Sequence, residues 1–268
     1  MNRLILARRL VRDHCRGFVG WAAGIAVLVA VIVWAYPSIS GSGGYAEVLE
    51  SYPEALKAMF GLAGGGDLTS GAGYLHAELF SLMLPLLLVI EAVALATDAV
   101  AGEEERHVLD LVLAQPVRRR RLVVERALAV GGITAALGLA AWLASVGVGW
   151  AVGLGVGATR LGGAVVMSVA LSWVMGALGL AAGAVTGRRG VSAGSAGGAV
   201  ALAFLMESLA PISDGIARFR WLSPFHYAVG GRPVVDGIDV GDLGVLLGLA
   251  AALVVVAVWG LDRRDIAG

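Results

Sequence analysis

Fifteen of the twenty lysine and arginine side chains fall in four short segments, and each segment borders a long apolar run. The segments are Arg3 to Arg16 with five, Arg106 to Arg126 with six, Arg188 with Arg189, and Arg263 with Arg264. Between them lie six apolar stretches, each able to cross a hydrocarbon core of ~30 Å at a helical rise of ~1.5 Å per residue. Short loops rich in Lys and Arg mark the cytoplasmic side of a membrane. Taken alternately, the loops place fifteen of these charges on one side and five (Lys57, Arg160, Arg218, Arg220, Arg232) on the other. Six spans with cytoplasmic N- and C-termini satisfy every cluster. The pattern therefore predicts an all-α, polytopic membrane protein, read as one transmembrane domain over 1–268.

Composition agrees. The chain is 58% hydrophobic and 15% charged, against about a quarter charged in an ordinary soluble domain. A water-soluble fold of this length could not enclose so much apolar surface. Formal net charge is zero, but the charge is segregated, and no basic surface for nucleic acid is expected. One cysteine, Cys15, excludes an internal disulfide and a Cys-based metal cluster. Arg12, Asp13 and Arg16 precede the first apolar run with no small-residue cleavage site after it, so the first span is expected to be retained.

The expected spans are about 17–36, 76–98, 127–153, 161–185, 191–210 and 242–261. Residues 2–16 read as an amphipathic helix lying in the cytoplasmic interface, an elbow before the first span. Leu4, Ala7, Val11 and Cys15 form its apolar stripe, with Arg8, Arg9, Arg12 and Arg16 opposite. Trp34 and Tyr36 close span one at the outer interface, ahead of Pro37. Pro85 predicts a kink within span two. Glycines four apart (Gly179, Gly183, Gly187; Gly149, Gly153, Gly157; Gly194, Gly198) predict close helix approach in lipid. Trp221, Phe225 and Tyr227 are expected at interface depth on the outer side.

Several catalytic patterns fail on context. The Gly153-x-Gly155-x-Gly157 run lies at a membrane exit without a βαβ unit, so it is no dinucleotide fingerprint. The only lysine, Lys57, follows no glycine-rich loop, so the chain has no phosphate-binding P-loop and is not expected to be an enzyme. Gly190-Val-Ser192-Ala-Gly194 has the spacing of a serine-hydrolase elbow but opens a membrane span instead of joining a strand to a helix. His14, His76, His107 and His226 lack metal-ligand spacing. Glu91, within span two, is the costliest intramembrane charge, and Asp98 follows seven residues on, toward the cytoplasmic end. Together they form a candidate intramembrane polar site, and a secondary transporter or channel coupling to ions through them is the alternative function. Glu78 and Glu207 are expected to be solvated near the outer ends.

The most informative segment joins spans two and three: Ala101-Gly-Glu-Glu-Glu-Arg106-His-Val-Leu-Asp110-Leu-Val-Leu-Ala-Gln-Pro116-Val-Arg-Arg-Arg-Arg121. Glu103, Glu104 and Glu105 suit a helix N-terminus, where the dipole favours negative charge. Leu109, Val112 and Leu113 share one apolar face, and Pro116 ends the helix. A short cytoplasmic helix with apolar residues to spare reads as a docking element for a soluble partner.

This segment resembles the corresponding loop of type 2 ABC-exporter permeases, the class that includes drug- and antibiotic-efflux permeases. Leu222-Ser-Pro-Phe-His-Tyr227 with Pro233-Val-Val-Asp-Gly237 resembles the outer loop before their last span. The tail Asp262-Arg-Arg-Asp-Ile266 resembles their ending. His107 departs from the pattern, where a glycine is usual. The resemblance implies a permease in the bacterial inner membrane, paired with a second copy or paralogue and surrounded by lipid. It implies a separate cytoplasmic ABC ATPase that binds ATP and Mg, with no cofactor on this chain. Residues 103–115 would be the coupling helix, with Glu103, Glu104, Glu105, Leu109, Val112, Leu113 and Pro116 as the ATPase-coupling residues. Few charges within the spans point to a lipophilic or amphipathic cargo.

Overall fold

The computed structural model describes residues 15–40, 70–102, 105 and 119–263. The elbow over 2–16, except its last two residues, and the coupling segment, except Glu105, lie outside the described residues.

Six helices are long and apolar enough to cross a membrane, and no strand occurs among the described residues. They are α1 (Cys15–Ser40), α2 (Gly71–Gly102), α3 (Arg119–Ala151), α4 (Ala158–Thr186), α5 (Arg189–Leu209) and α6 (Val240–Arg263). The arginine-bearing termini gather at one end of the bundle, called here the basic end. There Arg119 Nη1 donates to the Leu261 carbonyl at 3.2 Å, joining the start of α3 to the end of α6.

Helix α4 is the axis. In its most apolar stretch 83% of the residues are buried, against 17% for α1 and 22% each for α5 and α6. Its small residues explain how it packs. A Cβ on Gly176 would stand 3.2 Å from the Ala92 Cβ, and one on Gly183 would meet the Ala101 Cβ and Ser192 Oγ at 3.4 Å each. Without a hydrophobic force between helices in lipid, such close approach is what lets dispersion hold α4 against α2 and α5. The stripe continues to Gly187, whose left-handed φ of 66° ends α4 and turns the chain into α5 within two residues. Gly194 and Gly198 face open space instead and bring nothing close within this chain.

Proline acts differently in the two half-spans of α1 and α2 away from the basic end. Pro37 sits inside α1, which runs on to Ser40 instead of ending at the aromatic pair. Membrane helices tolerate this; in the turn before Pro37, Tyr74 Oη donates to the Ile32 carbonyl at 2.9 Å. In α2 the break falls ahead of Pro85. A π-helical turn, His76–Phe80, ends at Ser81, and regular helix resumes at Met83. The ring of a proline clashes with the carbonyl four residues back, which places the disturbance at Ser81. A second π-helical turn, Asp98–Gly102, closes α2 at the basic end. Helix α3 starts at Arg119, within the arginine run, so its first turns lie ahead of the apolar boundary expected at 127.

The segment between α5 and α6 re-enters the bundle. Phe225 is 1% exposed and packs edge-on against Phe204 at 5.7 Å, while Trp221 stays 60% exposed. Ser223 is buried and its Oγ donates to the Ala203 carbonyl at 2.7 Å. Phe225 is thus a core residue, not an interface anchor. Residues of α4 and α5 bury this irregular segment.

Candidate functional site

The polar chemistry concentrates at the two ends of the bundle, with an apolar cleft between α2 and α5. The cleft has a volume of about 610 Å³, and its lining includes Leu86, Val89, Val93, Val200 and Phe204. Its one charged lining residue is Arg189, beside Thr97 at the basic end.

Asp98 and Arg189 meet at that mouth. Arg189 Nε lies 3.7 Å from Asp98 Oδ1, an ion pair longer than a hydrogen bond. The Asp98 side chain is 18% exposed and that of Arg189 56%, so the pair is worth only ~0–1 kcal/mol. A shorter contact lies beside it. Glu105 Oε1 accepts from the Arg189 backbone N–H at 2.9 Å, at the first residue of α5. Caps of this kind stabilise a helix by ~0.5–2 kcal/mol, because the first N–H groups have no partner within the helix. One turn into α5, Ser192 is fully buried; its Oγ donates to the Gly179 carbonyl at 2.6 Å and stands 3.2 Å from Thr97 Oγ1. Its hydroxyl is a packing contact between α5, α4 and α2, and neither described histidine is its partner.

Glu91 is buried at mid-height of α2, 6% exposed. Asp98 opens the π-helical turn, where the helical register changes, and faces Arg189. Glu103, Glu104, Leu109, Val112, Leu113 and Pro116 fall outside the described residues, as do His14, His107 and the tail beyond Arg263.

At the far end Glu207 is enclosed instead of solvated. Arg220 grips it through two hydrogen bonds, Nε to Oε2 at 2.9 Å and Nη2 to Oε1, and His226 Nδ1 lies 3.6 Å from Oε2. The hydrogen bond to Glu207, more than its charge, holds the Arg220 pKa above the ordinary value. Gly230 packs closely on this arrangement: a Cβ there would lie 3.0 Å from His226 Nδ1 and 3.1 Å from Glu207 Oε1, so those side chains would have to shift slightly. His76 stands apart from this cluster, buried near the start of α2. Among the described residues no group of three His, Cys, Asp or Glu is placed to hold a metal ion.

Sequence reasoning took Arg189 as a topology charge and Glu207 as a solvated one. The one signal for Arg189 was its place two residues after Gly187, which sets it at a helix start. The pairing of Glu207 with Arg220 had no local signal.

With this geometry in place, comparison with known families is decisive for class. The family model described as ABC-2 family transporter protein matches residues 4–266, and the chain belongs to that family. No curated protein matches the chain.

Proposed function

We propose that this multi-pass ABC-2 family permease is the membrane-spanning subunit of an ATP-driven exporter for a lipophilic or amphipathic cargo. It works beside a second copy or paralogue, with separately encoded ATPase subunits that bind ATP and Mg. The basic end faces the cytoplasm, as its arginine excess favours. The observation that carries the cargo class is the α2–α5 cleft, whose walls are apolar along their length and meet a charge only at Arg189. Such a cleft offers dispersion contact to an acyl or aromatic body and one cation for a polar head.

The segment 103–115 passes the closing of the ATPases to α2. Leu109 and Leu113, four residues apart in sequence, would share one face of a helix there and anchor it in a groove of the ATPase. Replacing either with aspartate removes apolar contact and buries a charge, at a cost of at least ~2 kcal/mol, or roughly a thirtyfold weaker complex. Pull-down of the partner ATPase, normalised to inserted permease, tests this. Leu109→Asp and Leu113→Asp should lose the ATPase and keep insertion; wild-type association and transport in both would remove the proposed coupling.

A further inference from the structure

A second groove runs between α3 and α6, over α4. Its volume is about 630 Å³, and every residue lining it is apolar or glycine. Val124, Leu128 and Gly132 of α3 line one wall, Ala251 and Val254 of α6 the other, and Gly176 and Ala177 of α4 lie between them. The Arg119 bond to the Leu261 carbonyl ties the two walls together at the basic end. Trp173 is shared with a further apolar pocket of about 460 Å³ toward the far end. Its indole N–H is already spent on the Thr134 hydroxyl at 2.9 Å and the Gly131 carbonyl at 3.2 Å. The groove therefore meets the apolar ring and no unsatisfied donor. From Val124 to Ala135 it follows α3 for ~16 Å at the helical rise, about half the hydrocarbon thickness. It thus matches one leaflet of a bilayer, the leaflet at the basic end.

A charge waits at that end. Arg120 stands one turn before Val124, on the stripe that continues through Val124, Leu128 and Gly132 at four-residue spacing. It is exposed and has no ion pair among the described residues. Its neighbours are engaged, Arg121 on Glu125 at 2.7 Å and Arg119 on the Leu261 carbonyl.

We propose that the α3–α6 groove binds one anionic phospholipid of the basic-end leaflet, with an acyl chain along the groove and the phosphate on Arg120. A guanidinium fork matches phosphate oxygens, and basic sites beside membrane helices on the cytoplasmic side attract anionic headgroups. The room suits a hydrocarbon chain better than a helix of a second copy. A helix is ~10 Å across with its side chains, and over this length it fills about twice the volume of the groove. The site depends only on the chain lying in a membrane, so a failure of ATP-driven transport would leave it untouched.

Native mass spectrometry of the delipidated full chain, titrated in detergent with phosphatidylglycerol or phosphatidylcholine, tests this. The parent should bind one phosphatidylglycerol first and phosphatidylcholine more weakly. Arg120→Ala should weaken phosphatidylglycerol about fivefold, the usual worth of one arginine beside anionic lipid, and leave phosphatidylcholine unchanged. Gly132→Leu fills the groove without a clash, since a Cβ on Gly132 has no atom within 4 Å, and should weaken both lipids. Ala251→Leu, from the exposed opposite wall, should do the same. Arg188→Ala removes an exposed arginine outside the groove and should keep the parent affinity. An equal loss in Arg188→Ala and Arg120→Ala means diffuse attraction to the basic end and overturns the site. Parent-like lipid binding in both leucine variants also overturns it. If those variants instead lose a dimer mass seen in the parent and keep the lipid, the groove belongs to a second copy and the lipid site falls.

Discussion

Glu207 at the far end is gripped by the Arg220 fork and is 13% exposed, whereas Arg189 at the basic end is 56% exposed and held by one long ion pair and one cap. The helices involved overlap, since α5 carries both Glu207 and Arg189. The charges of the same helix are therefore clamped at one end and loosely paired at the other, where the buried Ser192 hydroxyl on Gly179 supplies the firmer contact. Bidentate, enclosed pairs are costly to break because a charge is left unpaired in poor solvent; exposed pairs exchange for water at small cost. The contrast teaches which end of α5 is held by charge pairing: the far end, where Phe225 and Ser223 of the re-entrant segment also pack.

Four substitutions break or sharpen this contrast. The largest effect is expected at the axis both ends share. Gly176→Leu drives a side chain into Ala92, whose carbonyl oxygen already stands 3.4 Å from the position of a Cβ. Overpacking of this kind costs ~1–3 kcal/mol, and rigid backbone contact puts this site at the upper end. Thermal unfolding in detergent should show the largest drop in midpoint of the set.

Next comes Glu207→Ala, which strands Arg220 and His226. Breaking a fully buried pair costs ~3–5 kcal/mol; with the Arg220 side chain 35% exposed, ~2 kcal/mol is expected in the same assay. Ser192→Ala should cost only ~0.6 kcal/mol, the usual worth of a side-chain hydrogen bond between membrane helices. Normal folding and retained transport in Ser192→Ala would also remove any hydrolase role for that residue.

The smallest effect on stability is expected from Arg189→Ala, within ~0–1 kcal/mol, because the Glu105 cap uses main-chain N–H and survives. Should Arg189→Ala destabilise as much as Glu207→Ala, the two charge pairs hold α5 equally and the contrast is lost.

Much of the fold was legible because hydropathy and arginine placement are one-dimensional signals. Any window apolar enough to cross lipid must be helical, whatever its neighbours. That reasoning found six spans, and glycine spacing found the Gly179–Gly183 stripe of α4. It could not separate that stripe from Gly194 and Gly198, since which face meets a neighbour is decided by tertiary packing. Phe225 was misplaced for a related reason. Its segment, with Ser223, Pro224 and His226, has the mixed composition of a surface loop, yet it is folded back against Phe204. The candidate site was legible only in pieces. Asp98 stood out as a charge near an apolar run, and Glu105 as one of three acids. Their common partner lies 84 residues from Glu105, a separation no periodicity reaches.

On the proposed function, ATP hydrolysis in a partner drives a lipophilic cargo through this permease, in contrast to ion coupling through Glu91 and Asp98. Proteoliposomes holding the chain with its ATPase, assayed with a fluorescent lipophilic cation, test this directly. Transport should require ATP and the ATPase, persist when the proton gradient is collapsed, and survive Glu91→Gln. Transport by the chain alone that follows the proton gradient and vanishes in Glu91→Gln would contradict the claim.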